Sequence, residues 1–184
     1  MDATGLLAGG YATVSTKVQV YEGSGADIFA RINTDCQKME RDKDMTAVTV
    51  HEVLDSTLEA VAHVETVAAE VARRVGFRGV SLDHISLATH ETTTNAVVHG
   101  NRYRSEKKVV VAISITQDRF KITIADDGDG FDPDTLPDPL APERLSSGSG
   151  RGVYLSRAFM DEYHVRCRHA GGTEVTLVKY LRPR

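Results

Sequence analysis

The sequence predicts a two-layer α/β sandwich, in which helices cover one face of a mixed, mostly antiparallel sheet. Two long segments, residues 58–75 and 81–99, have apolar residues at helical spacing. Strand-like runs come in pairs joined by short turns, at residues 108–116 with 119–125 and 163–169 with 173–181. Helices interspersed with antiparallel hairpins are typical of a sheet covered on one side.

Composition limits the possible classes of protein. A chain of 184 residues with 41% hydrophobic content can bury one good core. The net charge of -4 gives no general attraction to nucleic acid or anionic lipid, and Leu6-Leu7-Ala8 is far too short for a membrane span. Two cysteines, Cys36 and Cys167, are too few for a disulfide scaffold, so we expect a cytoplasmic protein.

The first 44 residues stand apart from the rest. Val14 to Val20 alternate with polar residues as in a half-buried strand, and a short helix could follow from Asp27 to Met39. Met45 begins a self-contained pattern. We therefore predict an N-terminal extension or a non-native start at residues 1–44 and one domain at residues 45–184.

The first long helix has recognisable ends. Val48 and Val50 alternate with polar residues as in a strand, and Ser56-Thr57-Leu58-Glu59 is a capping-box signature. Gly76 is placed to stop the helix. Its predicted core face consists of Leu58, Val61, Ala62, Ala68, Val71, Ala72 and Val75.

The second helix is predicted from Ser81, as N-cap, to His99, with Gly100 as its stop. Glu91 and Asn95 share a stripe with Leu87 and Val98. A carboxylate and an amide turned toward a packed layer need a ligand, a metal or a hydrogen-bonding partner. The alternative is that both side chains face water.

Two glycine clusters follow. Asp126 ends an apolar strand and is followed by Gly128 and Gly130. Because glycines have no side chain, a flat heterocycle could approach the backbone there, and the Asp126 carboxylate could accept a hydrogen bond from its exocyclic amine. The alternative is an ordinary Asp-Gly turn. Gly148, Gly150 and Gly152 lead into a helix that runs to about Met160, and the N–H groups at its start could hold phosphates.

Residues 131–147 lie between these clusters and contain four prolines, which excludes regular structure and predicts a lid or a long loop. Arg151 could add charge-assisted contacts to phosphate. The glycine pattern is neither a Rossmann fingerprint nor a P-loop, because no strand directly precedes it and it lacks the lysine.

Taken together, the motifs resemble the N, G1 and G2 boxes of the GHKL (Bergerat-fold) ATPase superfamily in order and spacing. They are Glu91xxxAsn95 with His99-Gly100-Asn101, then Asp126xGly128xGly130, then Gly148-Ser149-Gly150-Arg151-Gly152. The continuation through Phe159-Met160-Asp161 and Gly171-Gly172-Thr173 looks most like the branch of anti-sigma-factor serine/threonine protein kinases. The resemblance covers about residues 46–182.

The resemblance implies binding of ATP and Mg²⁺ and a set of roles. Glu91 would be the catalytic base, Asn95 would ligate Mg²⁺, and Asp126, supported by Thr173, would hold the adenine amine. The remaining nucleotide-binding candidates are His99, Gly100, Gly128, Gly130, Phe131, Gly148, Ser149, Gly150, Arg151, Gly152 and Val153.

The resemblance also implies partners: a sigma factor, an anti-anti-sigma protein of the STAS type that carries the acceptor serine, and a second copy of the chain. Two other functions stay open. One is an ATP-gated regulatory binding module with little or no kinase activity. The other, the catalytic half of a histidine kinase, is less favoured because the sequence has no helix pair carrying a phosphoacceptor histidine.

Overall fold

The structure, a computed structural model, describes residues 17–22, 45–116, 118–130, 151–169 and 171–181. Its sheet has six strands in the order β1-β2-β3-β4-β6-β5. They are β1 (Lys17–Glu22), β2 (Met45–Asp55), β3 (Lys108–Ile115), β4 (Arg119–Asp126), β5 (Glu162–Cys167) and β6 (Thr173–Tyr180). β1 runs parallel to β2 and all other neighbours are antiparallel, which confirms the predicted mixed, mostly antiparallel sheet.

In the described part of the chain, three helices cover one face of this sheet: α1 (Leu58–Val75), α2 (Gly79–Thr94) and α3 (Arg151–Phe159). α2 lies between α1 and α3 and contacts both. The strands β3 and β4 bury alternate residues beneath the helices, as expected of a sheet with one covered face. The predicted helix at residues 27–39 and the proline-rich segment lie outside the described residues.

The start of α1 corrects one detail of the sequence analysis. Thr57, not Ser56, is the N-cap residue, and its hydroxyl accepts the Ala60 N–H at 3.3 Å. Ser56 is buried instead. On the buried face, Leu58 and Ala62 are exposed and Val64 and Val67 take their places. The other predicted core residues Val61, Ala68, Val71 and Ala72 are buried as expected.

α2 begins at Gly79, two residues before the predicted Ser81 cap, and its N-cap residue Arg78 makes no side-chain capping bond. Gly79 has a φ of +53°, which lets the chain turn into the helix directly after the buried Phe77. The helix then widens into a π-helical turn at Asn95–Gly100. π-helical turns inside α-helices are frequent at functional sites.

The core lies between the helices and the sheet. Phe77 and Phe120 meet edge to face there with ring centroids 6.4 Å apart, and Ile85 on α2 is fully buried. Among the described residues, no helix combines the length and the apolar content that crossing a bilayer requires. The packed sandwich fixes the end of α2, the end of β4 and the start of β6 relative to one another.

Replacing Thr57 by alanine is expected to lower the free energy of unfolding by about 1 kcal/mol, because the N–H of Ala60 loses its acceptor. Urea denaturation of the full chain measures this change. Thr66→Ala on the same helix is the control: the Thr66 hydroxyl is exposed and bonds only the carbonyl of Ala62, so its loss should cost little. Equal losses for the two variants would contradict the capping role of Thr57.

Candidate functional site

Three segments that are far apart in sequence meet at one end of the sheet. Gly100, at the end of the π-helical turn, lies against the carboxylate of Asp126 at the end of β4, so that a Cβ on Gly100 would stand 2.5 Å from Asp126 Cγ. Gly152, in the first turn of α3, lies against the carboxylate of Glu91 on α2. The structure therefore brings the candidates Glu91, Gly100, Asp126 and Gly152 into one region.

Asp126 is nearly buried, with 5% of its surface exposed. Its Oδ1 accepts two backbone N–H groups, from Gly128 at 2.8 Å and from Thr173 at 3.2 Å. Within the part of the chain that the structure describes, Oδ2 receives no hydrogen bond. Burial raises the pKa of Asp126 and outweighs the opposing effect of the Gly128 and Thr173 N–H groups. One carboxylate oxygen is thus saturated, and the other is left to accept a donor from a ligand.

The neighbouring Asp127 fixes the position of this turn. Its N–H donates to Asn101 Oδ1 at 2.9 Å, while its carboxylate accepts the Lys108 N–H at 3.1 Å and the Arg168 guanidinium at 2.9 Å. Burial alone would raise the pKa of Asp127, but the Lys108 N–H and Arg168 together lower it below its ordinary value. The turn after β4 is therefore held by groups from three other segments.

None of these three groups was among the predicted site residues. Asn101 is fully buried and also donates from Nδ2 to the carbonyl of Lys108 at 2.9 Å, so it joins the end of the π-helical turn to β3 and to Asp127. Arg168 donates from Nη1 to the carbonyl of Asp126 at 2.6 Å. Asn101 could have been predicted as a site residue, because it directly follows His99-Gly100 in the motif. No sequence pattern marks Arg168 as one.

The glycines of this turn leave no room for side chains. A Cβ on Gly128 would stand 2.5 Å from the carbonyl oxygen of Gly100, which belongs to a rigid backbone. Gly172, with a φ of +88°, packs against the carbonyl of Asp126. The missing side chains therefore allow the backbones of three segments to approach one another around Asp126.

Replacing Gly128 by alanine is expected to weaken ATP binding by about tenfold or more, because the new methyl group must displace either Gly100 or the Asp126 carboxylate. Calorimetric titration with ATP and magnesium measures the change. Gly79→Ala is the control: a Cβ there meets nothing within 4 Å, although φ is +53°, so this variant should lose some stability and keep its affinity. An unchanged affinity in Gly128→Ala would remove the turn from the binding site.

The helices α2 and α3 run antiparallel beside this turn. Gly152 lies at Glu91, Ser156 Oγ donates to the carbonyl of Ala88 at 3.4 Å, and Phe159 stacks on His84. The start of α3 therefore lies beside the Glu91 carboxylate. N–H groups at the start of a helix lack partners within the helix and favour anions, so phosphate oxygens could be held there within reach of Glu91.

Other predicted residues occupy different positions around the same region. Asn95 begins the π-helical turn, one turn beyond Glu91, and is half-buried. His99 is exposed at the end of that turn, and Val153 is half-buried in the first turn of α3. Gly130 packs against Gly172, with a distance of 3.2 Å between a Cβ placed on Gly130 and the Gly172 carbonyl oxygen. Phe131, Gly148, Ser149 and Gly150 lie outside the described residues, as does the side chain of Arg151.

The described residues contain no cluster of three or more His, Cys, Asp or Glu side chains that could enclose a metal ion. Mg²⁺ bound to a nucleotide needs no such cluster, because it keeps several waters and uses phosphate oxygens. Asn95, one turn beyond Glu91, carries an amide that can supply a single oxygen ligand. The donor set therefore fits a magnesium ion that arrives with the nucleotide.

Comparisons with known proteins agree with this geometry. Residues 54–179 match the family described as "Histidine kinase-like ATPase domain". The chain is 32% identical over 130 residues to the serine-protein kinase RsbW of Bacillus subtilis, a match that covers 67% of this chain and 79% of the relative. It is 33% identical to RsbW of Bacillus velezensis, with the same coverage.

A solved structure supports the fold independently. The crystal structure of the RsbU and RsbW domains of Rv1364c from Mycobacterium tuberculosis superposes with a TM-score of 0.52 at 24% identity. The match covers 73% of this chain and 33% of the other, so the chain spans about a third of that protein. It confirms the predicted fold class.

Proposed function

The chain belongs to the histidine kinase-like ATPase family, in the branch of the RsbW serine-protein kinases, and from this membership we propose that it is an ATP-dependent protein serine kinase that acts as an anti-sigma factor. The observation that carries the proposal is the arrangement of two carboxylates. Asp126 keeps one oxygen for a ligand donor, and the Glu91 carboxylate on α2 lies beside the start of α3, where phosphate would be held.

The nucleotide would be bound from both ends. Asp126 Oδ2 would accept the exocyclic amine of adenine, while the N–H of Thr173 holds Oδ1 in place. Guanine carries a carbonyl at the corresponding position, so the site would select ATP over GTP. The glycines of both clusters would line the nucleotide, and Asn95 would supply the protein ligand to Mg²⁺, which neutralises charge on the phosphates.

Transfer of the γ-phosphoryl group needs mainly positioning and charge neutralisation. The acceptor is the hydroxyl of a serine on another protein. As its oxygen bonds to the γ-phosphorus and the bond to the β-phosphate oxygen breaks, the hydroxyl proton would pass to Glu91 and ADP would leave. The start of α3 beside Glu91 would hold the phosphoryl oxygens during the transfer.

The partners come from the resemblance to RsbW. The chain would hold a sigma factor and release it when an anti-anti-sigma protein of the STAS type competes, and it would phosphorylate a serine of that protein. We further propose a homodimer, with Mg²⁺ required for transfer. Light scattering at micromolar concentration tests the dimer, since a monomer there would contradict it.

The experiment that tests the kinase proposal mixes the purified full chain with labelled ATP, magnesium and the cognate anti-anti-sigma protein. We expect label on one serine of that protein, and its loss when the serine is replaced by alanine. ATP-dependent binding of the partner without any transfer over long incubation would instead favour the ATP-gated binding module and contradict the kinase.

A further inference from the structure

The outer side of α2 carries an exposed apolar stripe that the proposed chemistry does not use. Val80 is 66% exposed and Leu87 is 39% exposed. With His84 and Glu91 they occupy positions 80, 84, 87 and 91, the spacing that places side chains along one helical face. The stripe therefore leads along the helix surface from its first turn to Glu91, the proposed catalytic base.

The middle of the stripe is backed by α3. The His84 ring lies parallel to the Phe159 ring, with centroids 4.3 Å apart and an angle of 5° between the planes. At its far end, Val80 and His84 also line a pocket of about 450 Å³ that includes Phe77 and Leu181. The pocket is of mixed polarity, because Arg78 and Lys179 also line it, and it places the Val80 end of the stripe beside the end of β6.

Isolated exposed apolar residues are ordinary on protein surfaces, and this chain has others. Val53 is 67% exposed on β2 and Leu58 is 56% exposed at the start of α1, and neither leads toward a reacting group. Leu87 is different because it stands one helical turn from Glu91, which puts their Cβ atoms about 5–6 Å apart. A folded protein whose side chain reaches the Glu91 carboxylate is therefore close enough to contact Leu87.

We infer that Val80, His84 and Leu87 form the docking surface for the protein that presents the acceptor serine, an inference that rests on the proposed kinase function. A serine hydroxyl must come within hydrogen-bond reach of Glu91, about 2.6–3.2 Å, for its proton to transfer. A folded partner that brings its serine so close must bury Leu87 beneath the residues flanking that serine. The partner should therefore carry apolar side chains next to the acceptor serine, one of which packs on Leu87.

The inference predicts a selective change in kinetics. Leu87→Gln is expected to raise the KM for the anti-anti-sigma protein by about tenfold, with kcat at saturation and the Kd for ATP unchanged. Val80→Gln combined with it should raise the KM further. Glutamine forms helices well and is neutral, so it removes the apolar contact without placing a new charge beside Glu91.

Two control variants separate docking from folding. Leu58→Gln removes an exposed leucine on a different helix, α1, and should leave the KM unchanged. Leu87→Met keeps an apolar side chain of similar volume and should restore most of the wild-type KM. A KM for Leu87→Gln equal to that of the wild type overturns the inference, as does a loss of kcat or of ATP binding together with KM.

Failure of the proposed function can be told apart from failure of the docking surface. If the wild type transfers no phosphate but binds the anti-anti-sigma protein in the presence of ATP, weaker binding by Leu87→Gln still supports the surface, and equal binding overturns it. If the wild type neither transfers nor binds, both proposals fail. If the glutamine variants convert a dimer into monomers in light scattering, the stripe is a contact between copies of this chain and the inference is wrong.

Discussion

Replacing Glu91 by glutamine is expected to slow phosphoryl transfer to the acceptor serine by about 10²–10⁴-fold while ATP stays bound. Glutamine keeps the size of the side chain against Gly152 and removes only the ability to take a proton. If the carboxylate orients and deprotonates the serine hydroxyl, kcat falls and the Kd for ATP does not change. Single-turnover labelling of the anti-anti-sigma protein and calorimetric titration with ATP measure the two quantities.

Glu65→Gln is the matched control for this variant. The carboxylate of Glu65, on α1, forms a hydrogen bond with His90 at 2.8 Å. His90 precedes Glu91 in sequence but faces α1, whereas Glu91 faces α3. Replacement of Glu65 should leave transfer within about twofold of the wild type, because an exposed ion pair contributes little. If Glu91→Gln transferred phosphate at the wild-type rate, the base would have to be sought elsewhere.

The parts of the site that could be predicted from the sequence depend on local patterns. Asp126 was a candidate because an apolar run ends there and glycines follow at every second position. Glu91 and Asn95 were recognisable because their spacing of four puts them on one helical face. The strands and the covered face of the sheet follow from the alternation of apolar and polar residues, a pattern that extends over whole strands and does not depend on any single residue.

The parts that could not be predicted depend on contacts across long sequence separations. Asp127 bonds Asn101 and Arg168, which are 26 and 41 residues away, and no local pattern announces either pairing. The widening of α2 into a π-helical turn has no local signal in the sequence either, and the turn ends at Gly100, which lies against Asp126. The start of α2 was misplaced at Ser81 because a good capping residue outweighed Gly79, whose backbone makes the turn.

Asp126→Asn is expected to weaken ATP binding by about a hundredfold while leaving the nucleotide-free protein as stable as the wild type or more stable. The amide oxygen can keep the two N–H groups of Gly128 and Thr173, which places the amide nitrogen where Oδ2 was. A donor would then face the amine donor of adenine, so a hydrogen bond to a charged group is lost and two donors are left unpaired.

The stability follows from the direction of the pKa shift. Burial raises the pKa of Asp126 above its unfolded value, so its contribution to stability is fully present below the unfolded pKa and is lost as the pH rises through the folded pKa. At neutral pH, above the unfolded pKa, the aspartate therefore contributes less stability than at low pH, and the uncharged amide avoids that loss. Any gain in Tm should shrink as the pH is lowered, and thermal unfolding of the nucleotide-free chain across that range measures it.

Asp127→Asn is expected to have the opposite effect on stability, because the pKa of Asp127 is shifted in the opposite direction to that of Asp126. Its pKa is lowered by the Lys108 N–H and Arg168 despite burial, so its contribution is present above the unfolded pKa and is lost as the pH falls through the folded one. The asparagine variant should therefore have a lower Tm at neutral pH and a smaller loss of ATP affinity than Asp126→Asn. If both variants lost stability and affinity alike, Asp126 would be a structural residue of the turn and the adenine would be bound by other groups.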